Sequence, residues 1–460
     1  MTDKRPMTTA IRPEPPAPQR SDFARDFLWG CATSSYQIEG AGREDGRVES
    51  IWDRFAATPG TIRDGSSGMH ACDHYHRWPE DFDIARDMGL NAYRFSFAWP
   101  RIYTGVKGQP NQKGLDFYSR LVDGMLERGL QPWATLYHWD LPQTLQDAGG
   151  WENRATIDAF LDYTDAMTRA LGDRVKHWIT HNEPWCTAII GNFEGWHAPG
   201  KTDLKAALQV AHNVLVSHGK AVPLIRANVP DAQVGMAVSL HPLRAASERP
   251  EDIAAKERHD GLRYRWFLDP LFGRGYPAAT RELFGAAAPD VAAGDMEAIA
   301  VKTDFMGVNY YFPEVVQHAA GHAPLDAKVL PTTSGEITAM GWPVSPEGFT
   351  ELLTRIENDY HPGPMYVTEN GSAFEDVVGP DGEIDDVQRR HYLVRHLAAL
   401  KDAIGAGAPV KGYFAWSLLD NFEWAEGYQR RFGLVHIDYD TQQRRLKNSG
   451  KWYGSFLRQE

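Results

Sequence analysis

Apolar positions along the chain follow two rhythms. Short runs that are continuously apolar, or that alternate, are separated by longer stretches with a helical period. The short runs predict eight strands, at 27–32, 91–99, 130–139, 175–183, 232–240, 304–311, 365–369 and 410–417. The helical pattern occupies 78–88, 115–127, 155–170, 206–227, 349–360 and 385–403, and a last helix starts at Lys451. Gly89, Gly129 and Gly172 stand where helices end, and Pro79 falls in a predicted first turn. The segment 250–296 reads as helical in pieces, and a Gly/Pro/Thr-rich loop follows the sixth strand to about Pro346. Residues 1–20 are rich in Pro, Arg and Thr without period and read as a disordered tail, leaving 21–460 as one catalytic domain.

Strands alternating with helices argue for a parallel sheet. Eight of them suit a single (β/α)8 TIM barrel with long loops at the carboxyl face of the strands, the α/β class in which that face carries the active site. A doubly wound open sheet is the competing arrangement, but no Gly-rich phosphate fingerprint follows the first strand. The predicted strand ends hold chemistry: His138, Trp139, Asn182, Glu183, Asn309, Tyr311, Glu369 and Trp416. Val367 to Gly371 reads VTENG, and Thr180 to Pro184 reads THNEP. A carboxylate ending a buried strand is costly to desolvate unless it is used. Two such ends, each with Asn beside Glu, suggest a carboxyl pair facing one sugar-sized site. Either Asn could donate to a hydroxyl or to the carboxylate.

Composition sharpens this picture. The 15 Trp and 18 Tyr suit either a large aromatic core or flat walls for sugar rings. A formal net charge of −13 disfavours nucleic acid as a partner. No apolar run is long enough to cross a membrane, and no apolar signal core opens the chain, which points to the cytoplasm. Cys31, Cys72 and Cys186 are far apart, in no pattern for zinc or a disulfide framework, and read as small buried or cleft-wall residues. No metal or cofactor is implied. His74 and His76 read as structural, His181 as a wall residue, and Arg430 and Arg431 as a solvated basic spot.

Eight collinear stretches carry a resemblance: ATSSYQIEGA from Ala32, DHYHRW from Asp73, YRFSFAWPRI from Tyr93, LYHWDLPQTL from Leu136, THNEPW from Thr180, GVNYY from Gly307, VTENG from Val367 and FAWSLLDNFEWAEGYQRRFGL from Phe414. The chain resembles the β-glucosidases of glycoside hydrolase family 1. That resemblance implies a retaining β-glucosidase that removes terminal glucosyl residues by double displacement, acting in carbohydrate metabolism and cellulose degradation. Its substrates would be small β-glucosides or cello-oligosaccharides.

By position, Glu183 resembles the acid/base and Glu369 the nucleophile. Gln37, His138, Trp139, Asn182, Glu423 and Trp424 match residues around the glycone, with Trp416 as its stacking platform and Glu423 accepting from two hydroxyls. Asn309, Tyr311 and Phe432 match site-lining positions, and Trp342, Trp185 and His197 the leaving-group side. Arg94 and Tyr311 would tune the nucleophile by lowering its pKa. A retaining pair needs carboxyls roughly 5–5.5 Å apart. Alternatives are a galactoside- or fucoside-preferring β-glycosidase, a 6-phospho-β-glucosidase, which the carboxylate of Glu423 disfavours, and a carbohydrate-binding barrel without activity.

Overall fold

The computed structural model describes residues 16–459. The tail expected over 1–20 therefore lies largely outside the described residues. The chain is already ordered at a 3-10 turn, Arg20–Asp22, where the Arg20 guanidinium donates to the Ala24 and Arg25 carbonyls.

Eight parallel strands close into a barrel. They are β1 (Leu28–Ala32), β2 (Ala92–Ser96), β3 (Gln131–Tyr137), β4 (His177–Asn182), β5 (Gln233–Ser239), β6 (Phe305–Asn309), β7 (Met365–Asn370) and β8 (Val410–Trp416). All eight fall inside or within one residue of the predicted runs. Closure is between β1 and β8, in register from Leu28 opposite Gly412 to Ala32 opposite Trp416. The doubly wound alternative is excluded, because an open sheet has two edges and this one has none.

The barrel interior is filled by unequal partners. The Trp133 ring packs on His177 at 4.2 Å, Tyr366 at 4.5 Å, Phe305 at 5.1 Å and Phe414 at 5.3 Å. Ala32, Ala92, Ile179 and Ala237 fill the space these rings leave. Below the site the barrel is thus a packed core rather than a pore. The tryptophans divide between core and cleft. Trp29, Trp52, Trp99, Trp133, Trp178 and Trp266 are fully buried packing residues, whereas Trp139, Trp185, Trp342, Trp416 and Trp424 line the cleft at the carboxyl face.

The register of β4 slips between Ile179 and Asn182, and that of β7 between Val367 and Asn370. Bulges beside an active site re-aim the side chains that follow them, and these two precede Glu183 and enclose Glu369. Gly371 answers a separate demand. A Cβ there would lie 1.7 Å from the Trp416 carbonyl oxygen, so the chain leaving β7 can pass β8 only as glycine.

Several expectations need correction. The helix placed at 78–88 runs His74–Asp87 with Pro79 inside it. The extra turn is hidden in a polar stretch whose His74 ring is paired with buried Asp81 at 2.7 Å. The long loop after β6 contains two strands, Glu314–His318 and Ala327–Val329, which form a small sheet with Leu243–Ala245. Wide π-helical turns occupy Cys186–Glu194 and Gly261–Arg265. Arg430 and Arg431 are not a solvated basic spot. Arg430 pairs with Glu426 at 2.9 Å, and Arg431 reaches buried Asp420 at 2.8 Å and the Ile437 carbonyl at 2.9 Å. Asp420 also takes a bond from fully buried Lys447 at 2.7 Å. This ionic knot anchors the loop after β8 that carries Glu423 and Trp424.

Candidate active site

The carboxyl ends of the strands open into a cleft. Glu183 follows β4 and Glu369 lies within β7, and both line this cleft. Glu183 holds a left-handed backbone, φ 49°, as do Trp139 at 76° and Trp424 at 48°. Such non-glycine conformations cost roughly 1–3 kcal/mol each and cluster at functional sites. The Glu183 N–H donates to the Ala237 carbonyl at 2.8 Å, which fixes the turn on β5.

The two carboxyls have different partners. On Glu369, Oε1 accepts from Arg94 Nη1 at 2.6 Å and Oε2 from the Tyr311 hydroxyl at 2.6 Å. On Glu183, Oε1 accepts from Asn309 Nδ2 at 2.8 Å and Oε2 from the Cys186 thiol at 3.0 Å. Arg94 also donates to the Thr368 carbonyl at 2.9 Å and to Asn182 Oδ1 at 2.6 Å. Among the described residues, Glu369 has an ion pair with a cation and Glu183 has none.

Burial pushes the Glu369 carboxyl up to about 7, with Arg94 pulling it down, Glu183 pushing it up and Tyr311 pulling it down again. The expected lowering by Arg94 and Tyr311 is therefore present in sign but outweighed by desolvation. Burial likewise pushes Glu423 up to about 8, with Glu369 the next cause. Gln37, which donates to Glu423 Oε2 at 3.4 Å, acts in the opposite direction and favours the ionised, accepting form. Sugar hydroxyls donating to Glu423 would draw it back down.

The other expected site residues converge here. Gln37 sits on a buried helical turn, Ser35–Ile38, and its amide donates to Asn421 Oδ1 at 3.0 Å, the Phe422 carbonyl at 3.0 Å and Glu423 Oε2 at 3.4 Å. Asn182 donates to His138 Nε2 at 3.0 Å, so the neutral ring carries its proton on Nδ1. Burial and then Arg94 hold that ring well below the usual histidine range. Trp139 donates to the Asn182 carbonyl at 2.9 Å and packs on Trp424 at 4.6 Å. Trp416 is buried with Phe432, beside Tyr311, Met340 and Trp342. Trp342 stacks on Phe312 at 4.8 Å, and His197 packs against Trp139 and Trp52 at 5.3 Å.

One expectation changes. Asn370 turns away from the cleft: its amide donates to the Tyr310 carbonyl at 2.8 Å and the Tyr392 hydroxyl at 2.9 Å, and it accepts from Tyr413 at 2.9 Å. Alternation along β7 sends Glu369 and Asn370 to opposite faces, so only one Asn-Glu pair has both members inside. His181 also faces outward, bonded to Ser217 at 2.8 Å and packed on Phe160 at 4.6 Å, as a wall residue.

Sequence reasoning missed an ionic group on the outer wall. Buried Glu314 accepts from His241 at 2.6 Å and His259 at 2.9 Å, and Arg263 stands 3.6 Å from it. The Arg263 guanidinium also lies 4.4 Å over Trp185. These residues come from three segments, with His259 and Arg263 four apart in one of them, and no spacing links the three. The Cys186 contact was missed too, although a side chain three residues after Glu183 at a helix start was a usable signal.

One buried carboxyl held by a cation and another held only by neutral donors, in a barrel cleft walled by indoles, is the division of labour of a barrel glycosidase. The chain belongs to glycosyl hydrolase family 1, whose family model matches residues 19–460. It is 46% identical to beta-glucosidase A of Acetivibrio thermocellus over 95% of this chain and 98% of that one. Beta-glucosidase A of Thermotoga maritima is also 46% identical, again over 95% and 98%. The solved family 1 b-glucosidase from Thermotoga maritima superposes with a TM-score of 0.91 at 46% identity, covering 94% of this chain and 97% of that one. An AHE enzyme from Alicyclobacillus herbarius gives 0.92 at 46% identity, over 95% and 97%.

Proposed function

We propose that the chain is a retaining β-glucosidase acting on small β-glucosides by double displacement, with Glu369 as nucleophile and Glu183 as acid/base. The observation that carries the assignment of roles is the position of Arg94, on Glu369 and not on Glu183. A nucleophile must be ionised when substrate arrives, and a nearby cation favours that form. An acid must hold a proton it can give away, which neutral donors permit.

In the first step a Glu369 oxygen bonds to the anomeric carbon while the glycosidic C–O bond breaks. The leaving oxygen takes the Glu183 proton. In the second step Glu183, now a carboxylate, takes a proton from water as that water attacks, and the bond to Glu369 breaks. Gln37, His138, Asn182 and Glu423 are placed to bind glycone hydroxyls, and Trp416 offers a face to the ring. Relatives named beta-glucosidase over nearly their full lengths support glucose as the glycone. The carboxyl of Glu423, and the absence of any cation from Glu423-Trp424-Ala425, disfavour a phosphorylated glycone.

Two displacements retain configuration. Proton NMR of early product from an aryl β-glucoside should show the β-anomer first, and the α-anomer first would refute the covalent route. The pH profile follows from burial of the nucleophile. With Glu369 pushed up to about 7, protonation removes its nucleophilic lone pair as pH falls. Burial therefore sets the acid limb of kcat/KM above the ordinary carboxylate range, with kcat/KM falling about tenfold per unit well below it. A flat profile down to ordinary carboxylate values would contradict this.

A further inference from the structure

The two oxygens of Glu183 are not equivalent. Asn309 cannot reverse its amide, because Thr368 Oγ1 donates to its Oδ1 at 2.6 Å and its Nδ2 also donates to Asn182 Oδ1 at 3.1 Å. Asn182 is fixed in turn, since Arg94 donates to the same Oδ1 at 2.6 Å. Glu183 Oε1 therefore faces an N–H that can only donate. A carboxylic O–H on that oxygen would point at another hydrogen.

The proton of the acid form thus belongs on Oε2, the oxygen that faces Cys186 at 3.0 Å. A thiol suits this position for a chemical reason. It donates S–H to an ionised carboxylate and accepts weakly from a carboxylic O–H, so it can serve both states. A carboxyl that alternates between acid and base in each turnover needs a neighbour with that tolerance.

Local structure places the sulfur there. The left-handed backbone of Glu183 starts a helical turn in which the Cys186 N–H donates to the Glu183 carbonyl at 3.0 Å. The chain then continues as the π-helical segment Cys186–Glu194, a wide turn often found at functional sites. Cys186 is buried, yet lines the cleft beside Glu183. Burial, and then the Glu183 charge, push its thiol well above the ordinary range, so it remains an S–H donor and not a thiolate.

We infer that Cys186 is a positioning residue for the acid/base, holding the proton-bearing oxygen of Glu183 in place through both protonation states. This rests on the role proposed above for Glu183.

The test uses the full chain as wild type, Cys186→Ala and Cys186→Ser, on two substrates. Phenyl β-glucoside needs its leaving oxygen protonated, and 2,4-dinitrophenyl β-glucoside does not. For Cys186→Ala, kcat/KM on the phenyl substrate should fall about tenfold, part of the 10²–10⁴ that general acid catalysis supplies, while the dinitrophenyl substrate stays within about twofold. Loss of a donor to the ionised form should also move the alkaline limb of kcat/KM to higher pH. Cys186→Ser, which keeps a donor, should recover most of the phenyl activity and return the limb to the wild-type position or below. An equal fall on both substrates, or no fall and an unmoved limb, would overturn the inference. Should the alanine protein lack a cooperative melt, serine against wild type decides. Its stronger hydroxyl donor should lower the limb, and an unmoved limb overturns the proposal. Wild-type protein that cleaves neither substrate would instead refute the β-glucosidase reading itself.

Discussion

Glu369→Ala is expected to leave a folded protein whose kcat on aryl β-glucosides is lower by roughly 10⁴-fold or more, the scale on which a nucleophile acting in concert with its partners is lost. Arg94 and Tyr311 keep their places but have no carboxylate to hold. The fold should survive because Arg94 retains the Thr368 carbonyl and Asn182 Oδ1 as acceptors. Removing the carboxylate does leave the buried Arg94 charge without its counter-ion, a loss of roughly 3–5 kcal/mol, so the melting temperature should fall while the barrel stays folded. The space left beside Arg94 would admit a small anion. Azide should therefore restore turnover of 2,4-dinitrophenyl β-glucoside, with nitrogen bonding to the anomeric carbon as dinitrophenolate leaves, giving the α-glucosyl azide. Thermal melting checks the fold, a continuous assay the rate and NMR the azide product. Normal turnover by a folded variant would remove Glu369 from the mechanism.

The barrel was legible because its strands are buried on both faces and so read as short apolar runs whatever their neighbours. VTENG and THNEP were legible because a charge at the end of such a run is conspicuous. What the pattern could not supply is direction. Asn182 and Asn370 look alike beside their glutamates, yet a register slip and strand alternation send one into the cleft and the other into the wall. The Arg263–Glu314–His241 group was illegible for a different reason. Its members come from the loop after β5, the start of the short strand Glu314–His318 and a π-turn, segments far apart in the sequence that no spacing links. Arg431 shows the same limit at a surface, since its charge is visible in the sequence but its buried partner Asp420 is not.

Glu183→Gln separates the two steps. The amide has nearly the same shape, its oxygen can still accept from Asn309 Nδ2, and its NH2 can face the Cys186 sulfur as donor. The fold and the glycone contacts should therefore be unchanged, and melting temperature should stay close to wild type. The proton is gone, however. Cleavage of phenyl β-glucoside, whose leaving oxygen requires it, should lose about 10²–10⁴ in kcat/KM. 2,4-Dinitrophenyl β-glucoside departs as a stable anion, so its kcat/KM should fall far less. Its kcat should still drop, because water attacking the glycosyl-enzyme finds no base. A burst of dinitrophenolate, stoichiometric with enzyme and followed by slow turnover, is the expected trace. Azide needs no base and should accelerate the slow phase, this time giving the β-azide, because attack comes from the face that Glu183 guards and Glu369 is the group displaced. Opposite azide anomers from the two variants would assign the two carboxyls to opposite faces of the sugar. The same anomer from both would contradict the roles that the position of Arg94 implies.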